Sequence, residues 1–438
     1  MIELSALNRS TSVPEERQQG RTARVAYFVS HPIQYQVPLL RRIATEPDIE
    51  MTTFFSSDLS VRGYRDAGFG VEVKWDVPLL EGYKSEFLPR AREADTLGFA
   101  RPLNWGIMKR LQQGRFDVVW VFGYNRLVNL HAIAAANLLR LPVILRAEPH
   151  LHSHTRSTTK LLVKSMLMQV LKCSVDCLLS IGDANDLYWK HYFGQDIPMY
   201  RMPYAVDNDF FRERALQAAP HREELRRSLG LESGRPIVLY ASKLQSRKRC
   251  IDLVEAFIRL SPGPGIDPPA YLLIVGDGEE RASLEARVRD SGLSNIRFLG
   301  FRNQTELPAL YDLCDAFVLP SYNETWGLIV NEVMNAGRAI IVTDQVGCHY
   351  DLVHDGVNGY VIPLMDVAAL SDRLRRLIED PSLRAAMGEN SLRIIQQYSF
   401  RQDIAGLRQA IAQVVPGFRS LAITSTIATL ATPGVVRA

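Results

Sequence analysis

The chain has little cysteine, no long apolar run and almost no net charge, and each shortage excludes a class of protein. Its five cysteines are scattered and odd in number among 438 residues, which argues against a disulfide framework or a zinc site and favours reduced, buried thiols. No apolar run approaches the roughly 20 residues needed to span a bilayer. The net charge of +3 gives no reason to expect a nucleic-acid partner.

What remains is the composition of an ordinary globular protein, with 47% hydrophobic and 23% charged residues. The length predicts two domains. The first residues lack the apolar core of a signal peptide, so we expect residues 1–22 to form a disordered leader and the protein to be cytoplasmic. We expect residues 419–438, which are rich in small side chains, to be a peripheral tail.

Basic residues concentrate between Arg101 and Lys172. That stretch contains eleven lysines and arginines but only two acids, Asp117 and Glu148, a local excess of nine positive charges. Such a stretch could face anionic lipid at the inner surface of the membrane or a phosphorylated acceptor. Solvated helix faces in a half-basic domain are the competing explanation.

Short β-branched runs alternate with helical patterns from Val25 onward, which is typical of parallel α/β sheets. Residues 202–211 interrupt the alternation with proline, aspartate and asparagine, which indicates an interdomain connection. We predict an α/β fold with two facing Rossmann-like domains, residues 23–205 and 206–400, and a helix over 401–418 that returns to the first domain. A ligand cleft is expected at the carboxyl ends of the strands.

Two glutamates eight positions apart form the most informative motif. A predicted strand ends at Leu319 and apolar periodicity from Leu328 predicts a helix, so Glu324 falls in the loop and Glu332 inside the helix. Gly327 and the first helical N–H groups lie between them and could bind an anion. This order suits a nucleotide sugar, with ribose at Glu332 and the sugar at Glu324. Two glutamates on a solvated helix face are the alternative, made weaker by the apolar neighbours.

Three other predicted strand ends carry groups that could bind phosphate or a base. Lys243 and Lys248 follow one strand and are well placed for a diphosphate, although an exposed basic loop is the alternative. Gly276 follows another strand and allows close backbone approach, which turn formation explains equally well. Phe301 follows a third strand, whose backbone could pair with a nucleobase edge.

Two groups in the first half could act on an acceptor. His31 follows the first strand directly, and Arg146, Glu148 and His150 follow a later one. The second group could orient or deprotonate an acceptor hydroxyl. A structural histidine and an internal Arg146–Glu148 pair are the competing interpretations.

Together these motifs resemble the family 4 (group 1) glycosyltransferases of the GT-B fold. The resemblance runs from about Val25 to Leu407 and is strongest over 242–248, 275–278, 298–301 and 315–363. It implies a retaining transfer from a nucleotide-sugar donor, without metal or cofactor, to a glycan or lipid-linked acceptor in cell-surface or exopolysaccharide synthesis.

The resemblance also assigns roles to residues. Lys243 and Lys248 would bind the diphosphate, Glu332 the ribose, Glu324 the donor sugar, and the segment around Phe301 the base. The full predicted set is Lys243, Lys248, Glu324, His31, Glu148 and His150 for catalysis and Gly276, Phe301, Trp326, Gly327, Leu328, Ile329 and Glu332 for donor binding, with no metal ligand.

Departures from the family pattern leave alternatives open. Ser30, His31 and Pro32 stand where the family has a glycine-rich loop, and Lys243 replaces the usual arginine, which loses the bidentate fork. An NAD(P)-dependent oxidoreductase would need a Gly-x-Gly-x-x-Gly turn after the opening strand, and none is present. A GT-B epimerase or a non-catalytic sugar-nucleotide binder stays open.

Overall fold

The computed structural model describes residues 21–65, 72–73, 75–90, 96–151 and 158–419. The expected leader and tail lie outside the described residues apart from 21–22 and 419. Two parallel sheets, each with helices packed on it, form the bulk of the structure. In the part of the chain that is described, no helix is both long enough and apolar enough to cross a membrane.

The first sheet has seven parallel strands in the order β5-β2-β1-β6-β7-β8-β9, beside a small antiparallel pair, β3 and β4. The strands are β1 Ala23–Val29, β2 Ile49–Phe55, β3 Tyr64–Arg65, β4 Glu72–Val73, β5 Ser85–Phe87, β6 Val118–Phe122, β7 Val143–Arg146, β8 Cys177–Ser180 and β9 Met199–Arg201. The helices between them are α1 Val37–Ala44, α2 Ile107–Gly114, α3 Leu127–Leu138, α4 Thr158–Lys172 and α5 Asp183–Phe193.

The second sheet has six parallel strands in the order β12-β11-β10-β13-β14-β15. They are β10 Ile237–Ala241, β11 Tyr271–Val275, β12 Ile296–Gly300, β13 Ala316–Leu319, β14 Ala339–Thr343 and β15 Gly359–Ile362. Its helices are α6 Asn208–Ala218, α7 Arg222–Ser228, α8 Cys250–Ile258, α9 Arg281–Ser291, α10 Leu307–Leu313, α11 Leu328–Met334, α12 His349–Leu352, α13 Val367–Glu379 and α14 Pro381–Ile395. The last helix, α15, spans Phe400–Val414.

Both faces of the first sheet are covered, which explains why its strands are nearly continuous apolar runs. Alternate side chains of β1 enter different cores. Ala26 and Phe28 pack with residues of α2 to α5, whereas Val25 and Tyr27 pack with residues of α1 and α15. The Tyr27 ring lies 4.0 Å, centroid to centroid, from that of Trp120 on β6.

Helix α15 returns to the first domain, as predicted. It begins at a capping box made by Ser399 and Gln402 and packs against β8 and β9. On its buried side Asp403 accepts a hydrogen bond from Arg146 at 3.3 Å. Burial raises the pKa of Asp403 to about 7, against the opposing effect of that guanidinium. The two facing domains and the returning helix confirm the predicted architecture.

The expectation of buried thiols was wrong for one residue. Cys173 is exposed at the end of α4, whereas Cys177, Cys250, Cys314 and Cys348 are buried, and all five are free thiols.

Candidate functional site

A cavity of about 200 Å³ lies between the two domains, at the carboxyl ends of β1, β10, β11 and β12. This is the cleft position at which open α/β sheets bind ligands. The first domain lines it with Gln34, Tyr35 and Trp75. The second domain lines it with Ala241, Ser242, Val275, Gly276, Phe301, Arg302, Gln304, Leu307, Leu328, Ile329 and Glu332.

Five of the residues predicted to bind the donor line this cavity: Gly276, Phe301, Leu328, Ile329 and Glu332. They come from three different strand-to-helix connections, so only the fold brings them together. Gly327, which precedes Leu328, is the N-cap of α11 with φ of 93°, a left-handed conformation. It therefore starts the helix that carries Glu332.

Gly276 is a glycine for a steric reason. A Cβ atom there would lie 2.0 Å from the backbone oxygen of Ser242, and the residue has φ of 127°. Its N–H donates to the carbonyl of Gly300 at 2.9 Å. The loops after β10, β11 and β12 are thus held in close contact where they line the cavity.

Glu332 is a desolvated carboxylate on the cavity wall. The hydroxyl of Tyr311 donates to its Oε2 at 2.6 Å, and burial raises its pKa to about 7 despite that bond. The other oxygen of this desolvated side chain is well suited to accept hydrogen bonds from ligand hydroxyls.

Lys248 and Glu324 do not line the cavity but form an ion pair between the loop after β10 and the loop before α11, both of which adjoin residues that line it. The ammonium of Lys248 donates to Oε2 of Glu324, and Nη1 of Arg247 lies 3.6 Å from the same oxygen. Lys248 is only 8% exposed, and burial lowers its pKa against the effect of Glu324. Arg247 was not among the predicted site residues. Lys248, which was predicted to bind phosphate, is therefore in direct contact with Glu324, which was predicted to bind the sugar.

The loop that carries Glu324 is fixed by its backbone. The N–H of Glu324 donates to the carbonyl of Gln345 at 3.0 Å, and the N–H of Gly347 donates to the carbonyl of Glu324 at 2.8 Å. The segment 344–347, which lies within the range 315–363 of strong family resemblance, thus holds the Glu324 loop in place.

Lys243 does not line the cavity. It is partly buried in the same loop as Lys248, and its charge contributes to lowering the pKa of Lys248. The hydroxyl of Tyr240 donates to the backbone carbonyl of Lys243 at 3.1 Å, which fixes the start of the loop. Its predicted phosphate contact stays a prediction.

Glu148 does not line the cavity but contacts Tyr35, which does, and it is held by two phenols. The hydroxyl of Tyr35 donates to Oε1 of Glu148 at 3.3 Å, and the hydroxyl of Tyr204 donates to the same oxygen. Burial raises the pKa of Glu148, and the negative charge of Glu324 in the other domain raises it further. The charge of Glu324 therefore acts on the carboxyl group of Glu148 across the cleft.

The two predicted histidines lie in different environments. The Nδ1 atom of His31 is 2.8 Å from Oγ of Ser30, and burial, followed by the charge of Arg126, lowers its pKa to about 4. His31 is therefore neutral near pH 7 and a weak base. His150 is 4% exposed and does not line the cavity.

Trp326 is buried, and its predicted donor contact stays a prediction. Its ring is 3% exposed, lies 5.9 Å from the ring of Tyr204 and fills the space beside Gly182. Its Nε1 donates to Asn331 at 2.8 Å. Trp326 lies outside the cavity lining because it packs between the two domains, which an apolar residue beside Gly327 could not reveal from sequence.

Arg146 also has a structural role rather than one beside an acceptor. Its Nη2 donates to the carbonyls of Met202 at 3.0 Å and Pro203 at 3.3 Å, as well as to Asp403. It thereby ties the interdomain connection and α15 to the first sheet, and within the described part of the chain no hydrogen bond joins it to Glu148. The predicted alternative was an internal Arg146–Glu148 pair. The charge of Arg146 does lower the pKa of Glu148, against the larger effect of burial.

The sequence reasoning did not select several cavity residues. Tyr35 lies in the segment after β1 that also contains Ser30, and this strand-end position could have indicated that it lines the cleft. Trp75 lies in a segment without periodicity and gave no signal. Close to it, the backbone N–H of Thr305 donates to the carboxylate of Asp76 at 3.2 Å, so the two domains touch beside the cavity.

A protein-family model matches most of the second domain. Residues 221–393 match the model described as "Glycosyl transferases group 1". That domain supplies Gly276, Phe301, Glu324 and Glu332, so the glutamate motif lies inside the matched region. Among the described residues no cluster of three or more histidine, cysteine or acidic side chains could hold a metal ion, and the expectation of metal-independent action stays a prediction.

Two relatives with curated names match part of the chain. The chain is 32% identical over 194 residues to alpha-D-kanosaminyltransferase of Streptomyces kanamyceticus, which covers 44% of the chain and 48% of the relative. It is 29% identical over 211 residues to D-inositol 3-phosphate glycosyltransferase of Salinispora arenicola, covering 44% of each. The chain thus spans about half the length of the curated relatives it matches.

Solved structures show that the chain has a GT-B fold. Anabaena HepE, in complex with UDP and glucose, superimposes with a TM-score of 0.66 at 18% identity and covers 88% of this chain and 99% of its own. At that identity the likeness establishes the fold, with both domains and the cleft between them.

Proposed function

We propose that the chain is a retaining glycosyltransferase that moves a sugar from a nucleotide-sugar donor to a hydroxyl of a glycan or lipid-linked acceptor. The observation that carries the proposal is the placement of Glu332 on the wall of an interdomain cavity, with the Lys248–Glu324 pair in two loops that adjoin residues lining it. The family match over residues 221–393, which contains the motif, and the GT-B fold support it.

In the proposed complex, the nucleoside occupies the cavity. Phe301 and Arg302 at the end of β12 flank the base, and Glu332 accepts hydrogen bonds from the ribose hydroxyls. Gly276 lets the backbone approach the ligand closely, because no side chain fits there. The named ligands of Anabaena HepE, UDP and glucose, are consistent with this class of donor.

The diphosphate would then lie towards Lys248 and Arg247. As the bond between the sugar C1 and the diphosphate oxygen breaks, its electron pair stays on that oxygen, and Lys248 stabilises the growing charge. The acceptor oxygen forms the new bond to C1 from the same face, and its proton passes to the departing phosphate. We propose that no metal or cofactor is needed, because cationic side chains already face the diphosphate position.

Glu324 is proposed to position the donor sugar rather than to attack it. Its Oε2 already accepts from Lys248 and lies near Arg247, so its charge is neutralised by neighbours. Such an oxygen is a poor nucleophile but can still bind sugar hydroxyls. On the acceptor side, Glu148 with its phenol partners is proposed to orient the attacking hydroxyl.

Anomer analysis tests this proposal. The chain is incubated with an α-linked nucleotide sugar, and the sugar first released to water is followed by NMR. We expect slow release of the nucleoside diphosphate together with the α-anomer. First appearance of the β-anomer would show that the retaining part is wrong, and conversion of the donor into an epimeric sugar would favour the epimerase alternative.

A further inference from the structure

Helix α4 exposes apolar side chains on the face turned away from its sheet. These side chains are Leu162, Val163, Met166 and Val170, and they define a surface that is called here the α4 stripe. Their exposed fractions are 59, 67, 60 and 63%. The opposite face packs into the domain core through buried Met168 and Leu171. The helix is therefore apolar on two sides, and only one of them is used by the fold.

Apolar side chains are also exposed on the neighbouring helices. Leu138, at the end of α3, is 76% exposed, and Asn137 beside it donates to the carbonyl of Ser174 just after α4 at 2.9 Å. On α5, which packs on the other side, Leu187 is 52% exposed. Single exposed apolar residues are ordinary, but a patch across adjacent helices marks an interaction surface.

The charge around the stripe selects the partner. Residues 158–172 contain three lysines and no acid, within the stretch that carries nine excess positive charges. Lys164 lies 4.5 Å from the ring centroid of Tyr188 between α4 and α5, and Lys172 is exposed at the end of the helix. An apolar stripe flanked by lysines is the pattern of a helix that lies in the surface of an anionic bilayer. A second copy of the chain would instead bring two basic surfaces together.

We propose that the α4 stripe docks the first domain on an anionic lipid bilayer. Helix α4 follows β7, whose carboxyl end carries Glu148 on the acceptor side of the cleft, and Leu151 after it is 45% exposed. A bilayer at the stripe would therefore lie on the domain that carries Glu148. The acceptor class that fits is a lipid-linked sugar, and this last step rests on the proposed glycosyl transfer.

Vesicle flotation with two matched variants tests the docking surface. One replaces Val163, Met166 and Val170 of the stripe by glutamine. The control replaces Leu216, Ile266 and Val357, which are 64, 53 and 47% exposed on the second domain, by glutamine. The probe is vesicles of phosphatidylcholine and phosphatidylglycerol in about a 2:1 ratio, with pure phosphatidylcholine as comparison.

We expect the unmodified chain and the control to bind the anionic vesicles and the stripe variant to bind about tenfold more weakly. Equal binding of both variants, or no binding by the unmodified chain, would overturn the proposal. So would loss of a dimer in the stripe variant by sedimentation without any vesicle binding, since a second copy would then cover the stripe. Nucleotide-sugar binding should be the same in all three proteins, and its absence from all three would count against the proposed transfer instead.

Discussion

Lys248 and Glu324 contact each other directly, although one was predicted to bind phosphate and the other sugar. Both are largely buried, and Arg247 is the second cation near Glu324. The negative charge of Glu324 thus offsets positive charge that a diphosphate would otherwise meet in full. This pairing makes the two residues energetically dependent on each other.

Glu324→Gln should separate binding from turnover. It removes a negative charge beside the proposed diphosphate position while keeping the shape of the side chain, so we expect nucleoside diphosphate affinity to rise by about two- to tenfold. Turnover should fall by about tenfold or more, since sugar positioning is weakened. Calorimetry and a donor-turnover assay measure the two effects, with exposed Glu379→Gln as the control. Weaker nucleotide binding in the Glu324 variant would contradict the proposed arrangement.

Lys248→Ala should cut turnover with the fold intact. The proposed stabilisation of the leaving diphosphate predicts a loss of about 100-fold or more in kcat. Arg247 remains near Glu324, so that carboxylate keeps a cationic neighbour. The matched control is Lys84→Ala, whose ammonium is 64% exposed on the first domain. Near-normal turnover in the Lys248 variant would remove the phosphate role.

The pH dependence of stability should reveal Glu332. Its folded pKa of about 7 lies above the ordinary carboxyl value of 4.5, so the fold favours the protonated form. This contribution is complete below about pH 4.5 and is lost as the pH rises through about 7. Glu332→Gln, which stays neutral and can still accept from Tyr311, should therefore raise Tm at about pH 8 and have little effect at about pH 4.5. An equal shift in Tm at both pH values would contradict the burial effect.

Gly406→Ala should weaken the docking of α15. A Cβ atom at Gly406 would lie 2.0 Å from the backbone oxygen of Arg201 on β9, so helix and strand would have to separate. We expect a loss of about 1–3 kcal/mol in the free energy of unfolding. At Gly98 a Cβ atom would meet only the Cβ of Arg101 at 3.7 Å, so Gly98→Ala serves as the control in denaturant titration. Equal stability of the two variants would refute the close packing.

Strand positions were predictable where side chains alone dictate them. The apolar runs at Val118–Phe122, Val143–Arg146, Ile237–Ala241 and Ala316–Leu319 predict strands from sequence alone, and the structure has strands over these same residues, because strands buried on both faces are continuous apolar runs. The elements that were not predicted are helices α2, α6, α7, α12, α13 and α14 and strands β3, β4, β5, β9 and β15. Short elements such as Met199–Arg201 have too few residues to show a period and form because a neighbouring strand pairs with them.

The site was predictable at strand ends and less so elsewhere. Gly276, Phe301 and Glu332 could be placed in the cleft because the carboxyl ends of parallel strands converge. The burial of Trp326 could not be predicted, because it depends on Gly182 and Tyr204, which are distant in sequence. The Lys248–Glu324 contact likewise joins positions 76 residues apart.

A thermal-shift panel of UDP-, GDP- and ADP-sugars, with NAD(P) as comparison, tests the central claim most directly. Nucleotide-sugar binding in the cleft predicts that one nucleotide class raises Tm. It also predicts that Glu332→Ala weakens the same interaction by about 1.5–3 kcal/mol in calorimetry, because charged hydrogen bonds to the ribose are lost. Stabilisation by NAD(P) alone, or unchanged nucleotide affinity in Glu332→Ala, would contradict the account.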